Sequence, residues 1–98
     1  QNFCLNTTAG AFSFAAAVTA PESGITMECL TDLPGIQIYA GNNLGSPLDQ
    51  KTTKAYGQYD AICLEAQMVP NAVNLTGFDS PVIKAGKKVY HVCGYRFV

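Results

Sequence analysis

Charged residues are scarce in this chain. They make up 13% of its 98 residues, and the formal net charge is −1. The six basic residues form no run longer than a pair. Proteins that bind nucleic acid or anionic membranes gather Lys and Arg on one face, and this chain has too few of them for such a patch. The composition therefore predicts neither nucleic acid nor a membrane surface as a partner.

Long apolar runs are also missing. No apolar stretch approaches the roughly 20 residues that a membrane-spanning helix requires, and the chain does not start with the basic and then apolar segments of a signal peptide. If the protein is secreted, we expect its leader to have been removed. The length allows one domain at most. Because 48% of the residues are hydrophobic, which is high for so short a chain, we expect an apolar face that a partner covers.

Ligands for a structural metal site are few. His91 is the only histidine and there is no Cys-x-x-Cys pair, so a zinc site is not predicted. Four dispersed cysteines favour disulfides instead, and they allow three connectivities. The disulfide candidates are Cys4, Cys29, Cys63 and Cys93.

Two N-glycosylation sequons, like the four cysteines, indicate an oxidising, secretory compartment. Asn6 begins an Asn-Thr-Thr sequence and Asn74 an Asn-Leu-Thr sequence. Together with an even cysteine count, they favour a secreted, extracellular glycoprotein with disulfides. The alternative is a cytosolic protein with four free thiols and two unused sequons.

Apolar residues that recur at every second position predict an all-β chain. Helix signals are nearly absent, and there is no internal repeat. Turn residues at 21–24 predict a hairpin between the flanking strands, and residues 42–60 form a long irregular connection. One helical turn is predicted within 70–74 and a brief extended piece at 82–84. The predicted strands cover residues 1–5, 12–18, 25–31, 36–41, 61–67 and 89–97.

Polar residues interrupt two of these strands. Glu65 lies in the middle of the strand over 61–67, and Gln37 lies between Ile36 and Ile38. A carboxylate is rarely found mid-strand unless it is solvated or paired. Two interpretations remain open: a solvated strand face, or a general base on the floor of a cleft. If both strands belong to one sheet, Gln37 and Glu65 line a common groove.

Six short motifs, taken together, resemble one protein family. In order they are Asn2-Phe3-Cys4-Leu5, Pro21-Glu22-Ser23-Gly24, Pro34-Gly35-Ile36-Gln37-Ile38-Tyr39-Ala40-Gly41-Asn42, Cys63-Leu64-Glu65-Ala66-Gln67, Pro70-Asn71-Ala72-Val73-Asn74 and Tyr95-Arg96-Phe97. Each is weakly specific, but the ordered set, at nearly the family's spacing, resembles the aldose 1-epimerases, or galactose mutarotases. The resemblance implies an antiparallel β-sandwich of the galactose mutarotase type, of which this chain matches only the C-terminal part.

The resemblance also implies a reaction. Glu65 would be the general base that takes the proton from the anomeric hydroxyl of a free monosaccharide, while a histidine elsewhere protonates the ring oxygen. Ring opening, rotation about C1–C2 and closure then give the other anomer. Acid and base must be held on opposite sides of one hemiacetal. Gln37 matches a position whose amide contacts sugar hydroxyls, and no cofactor is implied for a proton transfer.

The family's two active-site histidines and its sugar-binding aspartate have no counterpart in this chain. His91 matches the terminal strand, so we expect it to be structural or exposed. We therefore expect residues 1–98 to be the C-terminal portion of one β-sandwich domain, completed by a separate N-terminal chain cut from the same precursor. Two other functions stay open, a non-catalytic carbohydrate-binding module and a structural protein on the same fold.

Overall fold

The chain folds into two antiparallel β-sheets of three strands each. The computed structural model describes residues 1–45 and 56–98, so the middle of the predicted irregular connection, residues 46–55, lies outside the described part. The strands are β1 (Asn2–Cys4), β2 (Ser13–Thr19), β3 (Thr26–Thr31), β4 (Gly35–Tyr39), β5 (Cys63–Gln67) and β6 (Cys93–Phe97), with a 3₁₀ helix at Ala72–Asn74. Sheet 1 has the order β1-β4-β5 and sheet 2 the order β2-β3-β6. The all-β prediction is confirmed.

The predicted hairpin joins β2 and β3. Thr19 pairs with Thr26 at the turn end, and the Gly24 amide donates to the Ala20 carbonyl at 2.8 Å. Gly24 has φ = 72°, a conformation that glycine adopts without a Cβ penalty. Strand β6 then pairs with the other edge of β3, which completes sheet 2.

A small core lies between the inner faces of the two sheets. Cys29 of β3, Ile36 of β4 and Leu64 of β5 are each at most 4% exposed, and they form one apolar cluster. The hydroxyl of Tyr95, in β6, donates to the Leu64 carbonyl oxygen at 2.6 Å and so links the two sheets. Strand side chains alternate between the two faces of a sheet. Gln37 and Glu65, which follow Ile36 and Leu64 along their strands, therefore lie on the outer face of sheet 1.

The last strand is shorter than the alternation pattern predicts. The pattern predicts a strand over 89–97, but β6 begins only at Cys93. The Val92 amide donates to the Asp32 carboxylate at 3.1 Å, and the Val92 carbonyl accepts from the Thr31 hydroxyl at 2.9 Å. The Asp32 amide still donates to the Val92 carbonyl at 3.2 Å, but the Val92 amide is bonded to the Asp32 side chain instead of to a backbone carbonyl, so the ladder lacks one of its two bonds at this pair. The predicted extended piece at 82–84 also belongs to no strand.

Large apolar side chains remain exposed on both sheets. Phe3 of sheet 1 is 46% exposed, and Phe14, Tyr95 and Phe97 of sheet 2 are each more than half exposed. The accessible surface of the chain is 7269 Å², whereas a monomeric protein of 10.4 kDa is expected to expose about 5400 Å². The two sheets thus leave apolar surface of the kind that a complete domain buries. Across residues 1–45 and 56–98, no helix is long and apolar enough to cross a membrane.

Candidate functional site

The polar residues of sheet 1 share its outer face. Gln37 of β4 pairs directly with Glu65 of β5, and Asn2 of β1 pairs with Gln37 on the other side. Directly opposed residues of antiparallel strands lie on the same face, with Cβ atoms about 4.5–5.5 Å apart. These three residues therefore form a row across all three strands. We define the polar face as Asn2, Gln37, Tyr39, Glu65 and Gln67.

The alternation of side chains along each strand places this row on the face of sheet 1 that points away from the core. Ile36 and Leu64 point inward and are buried, so the next residue along each strand, Gln37 and Glu65, points outward. Glu65 is exposed and Gln37 is partly exposed. A solvated outer face therefore explains how a carboxylate is tolerated in mid-strand. The two strands do belong to one sheet, as a shared groove requires, and Gln37 pairs with Glu65; the roles of the two residues stay a prediction.

The two paired side chains are free to bind a ligand. Within the described part of the chain, neither Glu65 nor Gln37 makes a side-chain hydrogen bond to another residue. A carboxylate offers acceptor oxygens only, whereas a carboxamide offers both donors and an acceptor. Together the two groups can bind the hydroxyls of a polyol, and the carboxylate can remove a proton from one of them.

Two further members of the polar face are bonded to each other. The Gln67 carboxamide donates to the Asn2 Oδ1 at 2.9 Å. Sequence reasoning had assigned Asn2 no role, although both residues belong to the motifs that carry the family resemblance. The signal for Gln67 was its position two residues after Glu65, which fixes it on the same face. The place of Asn2 depends on strand register, which local pattern does not give.

Tyr39 lies at the opposite end of the polar face from Gln67. Its hydroxyl accepts from the Asn43 amide at 3.0 Å, and its strand position is opposite Cys63. The bond fixes the start of the loop that follows β4. The polar face therefore has an ordered amide pair at one end and an anchored phenol at the other.

The one histidine of the chain lies elsewhere. His91 precedes β6 at the edge of sheet 2, and its Nδ1 lies 3.5 Å from the Asp32 carboxylate. Its side chain is 46% exposed. This position fits the structural or surface role predicted for it, and it leaves the polar face without a histidine from the described residues.

The four cysteines are free thiols in the structure. Cys29 is buried and its Sγ lies 3.9 Å from the Sγ of Cys93, on the adjacent strand. Burial, with a smaller contribution from Cys93, raises the pKa of the Cys29 thiol to about 11. Cys4 and Cys63 are exposed on the outer side of sheet 1. The disulfide prediction stays a prediction, and the structure brings one pair of candidates close together.

The two sequons lie at the surface. Asn6 is exposed in the loop between β1 and β2. Asn74 is exposed at the end of the 3₁₀ helix, where its side-chain Nδ2 donates to the Asn71 Oδ1 at 2.7 Å. Glycosylation of both residues stays a prediction. In the described ranges, no group of three or more His, Cys, Asp or Glu side chains is placed to hold a metal ion.

Comparison with known proteins assigns the chain to one family. The aldose 1-epimerase family model matches residues 1–96. The chain belongs to the aldose 1-epimerase family. It is 38% identical to galactose mutarotase of Sus scrofa, 35% identical to that of Bos taurus and 34% identical to that of Homo sapiens, in each case over 97 residues. These alignments cover 99% of this chain but 28% of each mutarotase.

Family membership agrees with the observed architecture. Two facing antiparallel sheets of three strands are consistent with part of a mutarotase β-sandwich. The chain spans little more than a quarter of the length of the curated relatives that it matches. The matched range includes Gln37 and Glu65, the pair that the sheet register brings together.

Proposed function

We propose that this chain forms part of an aldose 1-epimerase that interconverts the α and β anomers of a free aldose. The observation that carries the proposal is the direct pairing of Gln37 with Glu65 on one open polar face. A carboxylate beside an amide suits a sugar whose anomeric hydroxyl must lose a proton while neighbouring hydroxyls stay bound. The 38% identity to a galactose mutarotase supports the same reaction class.

Glu65 acts as the general base in this proposal. Its carboxylate takes the proton of the anomeric hydroxyl, the bond from C1 to the ring oxygen breaks, and an acid protonates that oxygen. After rotation about C1–C2, the deprotonated acid takes its proton back from the former ring oxygen, that oxygen attacks C1, and the Glu65 carboxyl returns its proton to the aldehyde oxygen, which gives the other anomer. Gln37 holds sugar hydroxyls beside the base, so that the reacting group stays within hydrogen-bond reach. The steps are proton transfers and require no cofactor.

The acid is a histidine on polypeptide outside this chain. His91 is bound to Asp32 at the edge of sheet 2, and so does not serve the polar face. A companion N-terminal chain of the same precursor would supply the acid and cover the exposed apolar side chains of both sheets. The large accessible surface supports this arrangement.

We further propose that the protein is secreted, glycosylated at Asn6 and Asn74, and crosslinked by disulfides. The support is the surface exposure of both sequons and the proximity of Cys29 to Cys93. Small extracellular domains commonly combine these features.

Polarimetry tests the proposed reaction. The protein, assembled with the polypeptide that completes its fold, is mixed with freshly dissolved α-galactose or α-glucose, and the change in optical rotation is followed. Loss of a general base typically costs about 10²–10⁴-fold in rate, so Glu65→Gln should leave only spontaneous mutarotation. Glu22→Gln makes the same change at an exposed turn residue and should behave as wild type. An unchanged rate in Glu65→Gln would end the assignment.

One observation favours a second function, a carbohydrate-binding module without turnover. The described residues supply a base and amides on the polar face but no histidine acid. A protein of this kind would bind aldoses through the same face. The anomers would then equilibrate only at the spontaneous rate measured in buffer alone. Sugar binding without acceleration by the wild-type assembly would support it.

A further inference from the structure

The bond between Gln67 and Asn2 spans the whole width of sheet 1. Asn2 belongs to the row that contains Gln37 and Glu65, whereas Gln67 belongs to the next row, opposite Gly35. The 2.9 Å hydrogen bond from the Gln67 Nε2 to the Asn2 Oδ1 therefore joins the two edge strands across the backbone of β4. We name this contact the amide bridge.

A glycine beneath the amide bridge makes room for it. A Cβ added at Gly35 would lie 2.9 Å from the Asn2 Oδ1 and 3.2 Å from the Gln67 carbonyl oxygen. Both distances are shorter than ordinary contacts, and the second involves backbone that cannot rotate away. A residue without a side chain thus lies at the point where two polar side chains meet.

The amide bridge fixes the orientation of the Asn2 carboxamide. Its oxygen accepts from Gln67, so the Nδ2 group lies on the other arm of the amide with two N–H donors. Within the described residues these donors have no acceptor. Asn2 is opposite Gln37 in the row that contains the base, which places these donors beside the sugar hydroxyls that Gln37 binds. Donors whose orientation is fixed in advance lose less entropy when a ligand binds.

We propose that Asn2 binds a hydroxyl oxygen of the aldose through its Nδ2 donors, and that Gln67 is a positioning residue that acts through Asn2. This inference rests on the proposed function, since it names a further contact of the same sugar site. It assigns the sugar three neighbours in one row: a carboxylate acceptor at Glu65, a mixed donor and acceptor at Gln37, and a donor at Asn2.

Two single variants and their combination test the amide bridge in the assembled protein. Asn2→Leu removes the sugar-binding donors, and Gln67→Met removes the group that orients them. Each should raise KM for the aldose about three- to tenfold, the change in affinity expected from one neutral hydrogen bond, with kcat little changed. Because Gln67 acts only through Asn2, the double variant should raise KM no further than Asn2→Leu.

A matched control separates this effect from loss of any surface amide. Gln58→Met makes the same change at a side chain whose amide bonds to the Asn42 carbonyl, outside the row that contains Asn2, Gln37 and Glu65, and should leave KM as in wild type. The role of Gln67 would be overturned if the double variant raised KM by the combined effects of the two single variants. It would also be overturned if Gln67→Met lowered kcat and left KM unchanged. An unchanged KM in Asn2→Leu would overturn the role of Asn2.

A binding measurement distinguishes failure of this inference from failure of the proposed reaction. Saturation-transfer NMR with galactose reports binding whether or not turnover occurs. If the wild-type assembly binds galactose without accelerating mutarotation and Asn2→Leu weakens binding, the epimerase proposal fails and the sugar contact stands. If wild type is active and all variants match it, only the amide bridge is overturned. If wild type neither binds nor converts aldoses, both are overturned.

Discussion

Tyr95→Phe tests the link between the two sheets, and its cost follows from the topology. The Ile38 amide donates to the carbonyl of Gln1, on the β1 side of β4. Leu64 is the residue of β5 opposite Ile38, and the two therefore form a pair without backbone hydrogen bonds between them. The backbone groups of Leu64 thus point away from β4, toward the open edge of β5. The Tyr95 hydroxyl supplies a partner for that edge carbonyl at 2.6 Å.

The expected loss is moderate because the site is only partly buried. A neutral hydrogen bond contributes about 0.5–1.5 kcal/mol net to the free energy of unfolding. A buried carbonyl left without any hydrogen-bond partner costs more. Tyr95 is 51% exposed, so water reaches the carbonyl in the variant and the loss should be about 1 kcal/mol. Urea unfolding of the assembled protein measures it. Tyr90→Phe, at a tyrosine that is 79% exposed, is the matched control, and equal losses in the two variants would refute the reasoning.

The same variant has a pH dependence of predictable sign. Burial, and then the hydrogen bond with Cys93, raise the pKa of Tyr95 from 10.0 to about 12. A raised pKa in the folded state contributes stability that is complete below the unfolded value and is lost as pH rises through the folded value. The stability difference between wild type and Tyr95→Phe should therefore shrink between pH 10 and 12. A constant difference over that interval would contradict the pKa assignment.

Two other perturbations probe the core and the thiols. Leu64→Ala should cost about 2–5 kcal/mol in unfolding free energy, because Leu64 is buried in the small core behind Glu65; a loss as small as that of Tyr95→Phe would contradict this packing. Oxidation by glutathione disulfide should join Cys29 to Cys93 with loss of two hydrogens and formation of two glutathione thiols, since their Sγ atoms already lie 3.9 Å apart. Peptide mapping under non-reducing conditions would identify the pair, and a link from Cys29 to another cysteine would contradict it.

Period-two patterns predicted most of the strands because alternation reports directly which face of a strand is buried. The strand around Glu65 and the hairpin at Gly24 were both found where local residues place them. The pairing of Gln37 with Glu65 needed one more assumption, that the two strands are neighbours, and the register satisfies it.

The features that sequence patterns missed depend on contacts between distant segments. β6 begins at Cys93 because the side chain of Asp32, 60 residues away, takes the backbone amide of Val92 that a longer ladder would use. The amide bridge between Asn2 and Gln67 needs the order of three strands, which no local pattern encodes. The acid proposed as the partner of Glu65 has no histidine candidate on the polar face, since the one histidine of the chain lies beside Asp32.

The most direct test of the central claim measures binding and anomeric exchange in one sample. With the assembled protein and an aldose, NMR exchange spectroscopy reports the rate between α and β anomers, and saturation transfer reports binding. The account predicts that wild type binds and accelerates exchange, whereas Glu65→Gln still binds but leaves exchange at the rate of buffer. Accelerated exchange in Glu65→Gln, or wild-type binding without acceleration, would contradict it.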